Sequence, residues 1–183
     1  MTDAPRGDDD DLVPVSVRLG NVVPPEDPED WTRPLTWVAA IGMLAAPAVA
    51  VSWFWLAAPI DTAHPSAGTY AVAIALVLGA AAAGGTQIGR MRAFTGTLGA
   101  ALLAALVVVA VGAASAGERQ VGSVSPPLAH AVAASLSGLA GASPAAALGA
   151  FTAGAWSRLL RGLAAAAVGA VVTVAVLPIL FRA

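Results

Sequence analysis

Few side chains in this sequence can do chemistry. Asp61 and His64 lie three residues apart, and His130 is the only other histidine. An aspartate and two histidines are ligand types of a zinc site, but such a site takes a third and usually a fourth ligand in defined geometry. The spacing is too loose to specify one, and the bland expectation is a solvated loop with two unrelated histidines. There is no cysteine. That removes disulfides, thiolate metal sites and cysteine nucleophiles together. No phosphate-binding loop, nucleophile elbow or His-Glu-x-x-His motif occurs. The chain is therefore expected to be no enzyme and to carry no metal or cofactor. The one catalytic alternative is a surface site built from Asp61, His64 and His130.

The composition explains this poverty. Of 183 residues, 58% are hydrophobic and 11% charged, and the mean hydropathy is +0.80. A soluble domain is about 25% charged. The chain reads as an all-α, polytopic helical membrane protein. All nine basic residues are arginine, a bias that fits a GC-rich genome. Charge is unevenly spread. Nine of the eleven acidic residues precede Trp31, and only Asp61 and Glu118 follow it, against seven arginines.

Two domains follow. Residues 1–33 form an acidic, Pro-rich tail, with Asp8 to Asp11 in a row and a doubled Pro-Glu-Asp at Pro25–Asp30. Its composition predicts disorder. It lacks the basic segment of a signal peptide, so no cleavage is expected. Its acidic sign excludes nucleic-acid binding. Within it, Val13, Val15, Val17 and Leu19 alternate with other residues at strand period, a pattern able to add to the edge of a partner's sheet.

Residues 34–183 form the membrane domain. Uncharged apolar runs long enough to cross a bilayer lie at about 35–56, 70–88, 95–116 and 163–181. A fifth stretch, 128–157, is uncharged but poor in large apolar residues and interrupted by Ser143-Pro144. It reads either as a marginal fifth span or as a re-entrant hairpin broken near Gly141–Pro144. Arginine counting favours a span. With the N-terminus in the cytoplasm and five crossings, Arg33, Arg90, Arg92, Arg158 and Arg161 all lie inside, leaving Arg119 and Arg182 outside. Four crossings would put Arg158 and Arg161 on the opposite side from Arg90.

The remaining candidates concern packing and depth. Trp31 and Trp37 at one end of the first span, with Trp53 and Trp55 at the other, fit interfacial anchors. Pro47, mid-span, is tolerated where a neighbour packs against it. Small residues recur at four-residue spacing, including Gly85 and Gly89, then Ala146, Ala150 and Gly154, then Gly162, Ala166 and Ala170. Such residues let helices approach closely. Gly85, Gly89, Gly162 and Ala166 are the expected close-contact positions, read as docking sites for other membrane helices. Thr86 and Gln87 are polar groups near the inner end of the second span, suited to bonding a neighbouring helix. The four clear spans contain no acidic or basic residue, which argues against a proton- or ion-coupled transporter.

The stretch from Gly20 to Trp37, GNVVPPEDPEDWTRPLTW, resembles the start of the first span in small actinobacterial, mycobacterial-type membrane proteins. These have an acidic Pro-rich cytoplasmic tail and a few Ala-rich spans. The resemblance covers the tail and first span and carries no catalytic motif. It implies an accessory subunit of a larger machine, such as a lipid importer of the mammalian-cell-entry type or a respiratory assembly. The sequence expectation is thus a non-enzymatic accessory subunit of the cytoplasmic membrane, its partners being other membrane subunits and the bilayer. The alternative is a small homo-oligomeric transporter or channel for a neutral or hydrophobic substrate.

Overall fold

The computed structural model describes residues 29–56, 63–116 and 125–182. They form five helices: α1 (Glu29–Leu56), α2 (Ala67–Thr86), α3 (Arg90–Ser115), α4 (Pro126–Phe151) and α5 (Arg158–Leu180). No strand occurs among the described residues. In a bilayer core there is no water to satisfy backbone polar groups, and a helix satisfies them within itself. Local signals set the ends. Ser66 caps α2 by accepting from the Thr69 backbone N–H at 3.2 Å, and Ser157 caps α5 by accepting from that of Leu160 at 3.3 Å. Pro126 and Pro127 open α4, where a missing donor costs nothing.

Four helices, α2 to α5, are long and apolar enough to cross a membrane, while the apolar stretch described in α1, Ala39–Phe54, is shorter. The sequence boundaries need three corrections. α1 starts at Glu29, inside the segment assigned to the tail, with Glu29 and Asp30 in its first turn, where acidic side chains complement the helix dipole. The doubtful stretch is one continuous helix through Pro144, not a broken hairpin. That helix stops at Phe151, and residues 152–157 are a turn closed by the Thr152 carbonyl, which accepts from the Ala155 and Trp156 backbone N–H groups.

The helices pack with α3 against α2 and α4, α5 against α4 and α2, and α2 against α4 across the bundle. α2 and α4 are consequently the inner pair. In their most apolar stretches, 61% and 50% of residues are buried, against 33% for α3 and 22% for α5. The core is made of small residues. Ala73, Ala80, Ala101, Ala134 and Ala142 are fully buried, with Leu76, Val72 and Val108 among them. Large side chains lie outside, as with Leu103, Leu106, Leu163, Val171 and Ile179. This reverses the usual size distribution of a soluble core and suits lipid, which gives helices no hydrophobic reason to associate and leaves close packing to do so.

The turn joining α2 to α3 and the turn joining α4 to α5 meet at one end of the bundle, since one cavity is lined by both. The starts of α2 and α4 and the end of α5 meet at the other, where Thr69, His130 and Phe181 touch. The cysteine-free chain makes this arrangement directly testable. In single-cysteine variants, Ile88→Cys and Ala155→Cys should label with a membrane-impermeant maleimide from the same face, and His64→Cys only from the other. Labelling of Ile88→Cys and Ala155→Cys from opposite faces would refute the arrangement.

Candidate functional site

Two polar clusters break the apolar interior, one at each end. The first surrounds His130 near the start of α4. Its ring is fully buried. The His130 Nδ1 and the Thr69 hydroxyl lie 2.6 Å apart, and the same hydroxyl lies 2.8 Å from that of Ser66. Phe181, just past α5, presents its ring edgewise at a centroid distance of 4.8 Å. A buried imidazole costs stability unless its nitrogens find partners. This cluster ties the starts of α2 and α4 to the end of α5. His64 is exposed beside it, and Asp61 lies outside the described residues. Among the described residues no three His, Cys, Asp or Glu side chains gather as metal ligands. His130 instead meets a hydroxyl and a ring, contacts that tie helices together.

The second cluster is built on the two turns. Gly89, at the start of α3, has φ +93°, and Gly154, in the α4–α5 turn, has φ +92°. These left-handed conformations favour glycine because a Cβ would clash. Both glycines line one cavity of about 310 Å³. Its other walls include Gln87, Trp156, Arg90, Arg158 and Arg161. Among the described residues that line it, none is acidic.

Arg161 is the centre of this site. It is only 3% exposed. Its Nη2 donates to the Gly85 carbonyl at 2.8 Å and to the Gln87 carbonyl at 2.7 Å. Both acceptors belong to the C-terminal end of α2, where the last carbonyls lack helical partners and the helix dipole is negative. Arg161 therefore caps α2 from α5. Its Nε is buried with no hydrogen-bond partner. Arg158 lies near enough to repel it. At the mouth, Gly89 offers no side-chain cap to the first N–H groups of α3.

The sequence-derived positions divide clearly. Gly85 and Gly162 do meet: a Cβ on Gly85 would stand 3.2 Å from the Gly162 Cα. Ala166 packs with Ala81, Ala145 and Ala165. These contacts lie within the chain, so the residues are not free to dock partner helices. Gly89 is a correction, since a Cβ there meets nothing within 4 Å and the glycine serves its turn. Thr86 donates to the Ala83 carbonyl of its own helix at 2.7 Å. Gln87 contributes its backbone carbonyl to Arg161.

Among the tryptophans, Trp37 is 70% exposed, as an anchor would be. Trp53 is not. Its indole lies over Gly68 of α2, where no Cβ would fit, and its Nε1 is buried without a partner. An interfacial tryptophan would instead turn that N–H to the headgroups. The side chains of Trp31 and Trp55 lie outside the described residues, as do Val13, Val15, Val17 and Leu19. Trp156, in the α4–α5 turn, was missed as a cavity residue, and Arg161 was read only as a flank of the last span. The signal available for Arg161 was its place three residues after Arg158 at a helix start.

Fold and site define a multi-pass α-helical membrane protein with a basic cavity at one end. Compared with protein families, with curated proteins and with solved structures, the chain matches none.

Proposed function

We propose that the protein is a non-enzymatic, stabilising subunit of a larger assembly in the cytoplasmic membrane, with its N-terminus in the cytoplasm. The observation that carries this reading is the closure of the bundle interior. A Cβ on Gly42 of α1 would stand 2.5 Å from the Gly79 Cα of α2. Gly85 meets Gly162, and Gly141 meets the Gly169 carbonyl and the Thr173 hydroxyl. Backbones in such contact leave no room for a solute between those helices. The reading therefore favours a binding role over the transporter alternative. The acidic tail and its Val13 to Leu19 stretch offer a partner what the membrane domain does not. The outward faces of α3 and α5 are aliphatic, suited to lipid or to neighbouring spans. Arg90, Arg158 and Arg161 at one end support the orientation, because arginine-rich ends face the cytoplasm.

The test is purification from the native membrane with a C-terminal tag in mild detergent. The expected result is a complex of fixed stoichiometry whose other subunits lose stability when this chain is deleted. A homo-oligomer without partners that passes neutral solutes in liposomes would overturn the reading.

A further inference from the structure

We propose that the cavity between the α2–α3 and α4–α5 turns binds the phosphate of an anionic membrane phospholipid. The argument begins with charge. Three arginines line a space of about 310 Å³ that holds no carboxylate of the described residues. Arg158 stands in the same first turn of α5 as Arg161, where the two like charges oppose each other. Among the described residues, the hydrogen-bond acceptors of the Arg161 guanidinium are two backbone carbonyls, on one nitrogen. A buried cation normally finds an opposite charge or a complete set of acceptors. Here neither is complete, because Nε is buried and unpartnered. A phosphate in the cavity would supply an opposite charge to the three arginines, without reaching the buried Nε itself. Arginine forks match phosphate oxygens, and the uncapped first turn of α3 adds backbone N–H groups and a positive dipole end.

A second observation selects a lipid over a soluble anion. Arg90 borders two spaces. One is the polar cavity. The other is an apolar crevice of about 290 Å³ lined by Met91, Phe94 and Ala150 as well as Arg90 itself. That crevice faces the surroundings of the bundle, where Met91 is 73% exposed. A phosphate bound in the first space thus has an apolar path beside it for an acyl chain. Free phosphate has no use for that crevice. Basic pockets between helices near the cytoplasmic surface suit anionic headgroups on general electrostatic grounds.

The experiment uses the full chain in detergent, titrated with phosphatidylglycerol or phosphatidylcholine and followed by native mass spectrometry. Phosphatidylglycerol should bind at least tenfold more tightly. Arg90→Gln and Arg158→Gln should each weaken it about fivefold, from the effect of one basic residue near an anionic surface. Neither residue makes the carbonyl bonds that hold α2, so both variants should keep the parent's melting temperature. Phe94→Ser should weaken the lipid while leaving any inorganic-phosphate binding unchanged. Equal binding of the two lipids, or no loss in either arginine variant, would overturn the proposal. Displacement of the lipid by millimolar inorganic phosphate, with Phe94→Ser neutral, would overturn it in favour of a free anion.

Discussion

Gly141→Ala should destabilise the bundle by about 1–3 kcal/mol, the usual cost of forcing a methyl group into a filled core. The new Cβ would meet the Thr173 hydroxyl and the Gly169 carbonyl, both on α5. The carbonyl is backbone and cannot rotate away. Thr173 could turn, but its hydroxyl donates to the Gly169 carbonyl at 2.8 Å and lies 3.3 Å from the Ser137 backbone carbonyl. Relief therefore requires α4 and α5 to separate. They cannot separate locally, because Gly169 also faces α2, where its own Cβ would stand 2.5 Å from Val77 Cγ1. The comparison is Gly149→Ala on the same helix. Nothing lies within 4 Å of a Cβ there, and alanine exceeds glycine in helix propensity by about 1 kcal/mol. Melting in one detergent should show the first variant lowered and the second unchanged or raised. Equal shifts would mean that the α4–α5 contact is looser than described.

The same contact shows which parts of the fold could be read in advance. The number and type of elements followed from long uncharged runs, since a lipid-exposed run has few structures open to it. The place of α4 did not. Its hydropathy looked too low for a span because span scales treat each helix as if it faced lipid. α4 faces α2, α3 and α5 instead, and its serines find partners there: the Ser135 hydroxyl donates to the Ala105 carbonyl of α3 at 3.2 Å. The weakest span is one of the inner pair for that reason.

Small-residue spacing identified Gly85 and Gly162 as contact positions but could not say what they contact. In a chain this rich in Ala and Gly, many helix faces carry the same pattern. Gly89 shared that pattern, yet its φ of +93° reflects chain direction at a turn. Trp53 illustrates a different gap. Residue type and span position gave its level in the bundle, but the missing Cβ at Gly68, fifteen residues away, decides which way its indole turns. The His130–Thr69 pair and the arginine cavity join residues 61 and 74 to 76 positions apart. A local sequence pattern does not encode such pairings.

Arg161→Leu should cost about 2–4 kcal/mol, from one buried and one part-buried carbonyl left without a donor at about 1–3 kcal/mol each, less the relief of the unpartnered Nε. The sign is not obvious beforehand. Replacing a buried charge by an apolar residue is often neutral when its partners leave with it. Here the partners are the backbone of α2 and cannot leave. Gln87 N–H already bonds back to the Gly84 carbonyl, so it is not free to take over the guanidinium's part. Arg158→Leu provides the contrast. Arg158 shares the cavity but makes none of these bonds, and its removal eliminates the repulsion with Arg161. Its melting temperature should equal or exceed that of the parent, while Arg161→Leu melts well below. Arg161→Lys should fall between, since an ammonium keeps the charge but loses the planar fork. If the two leucine variants lose stability equally, the cation matters only as a charge at the membrane surface and does not cap α2. If Arg161→Leu alone fails, one guanidinium joins the end of α2 to the start of α5 and fixes the wall against which the other two arginines stand.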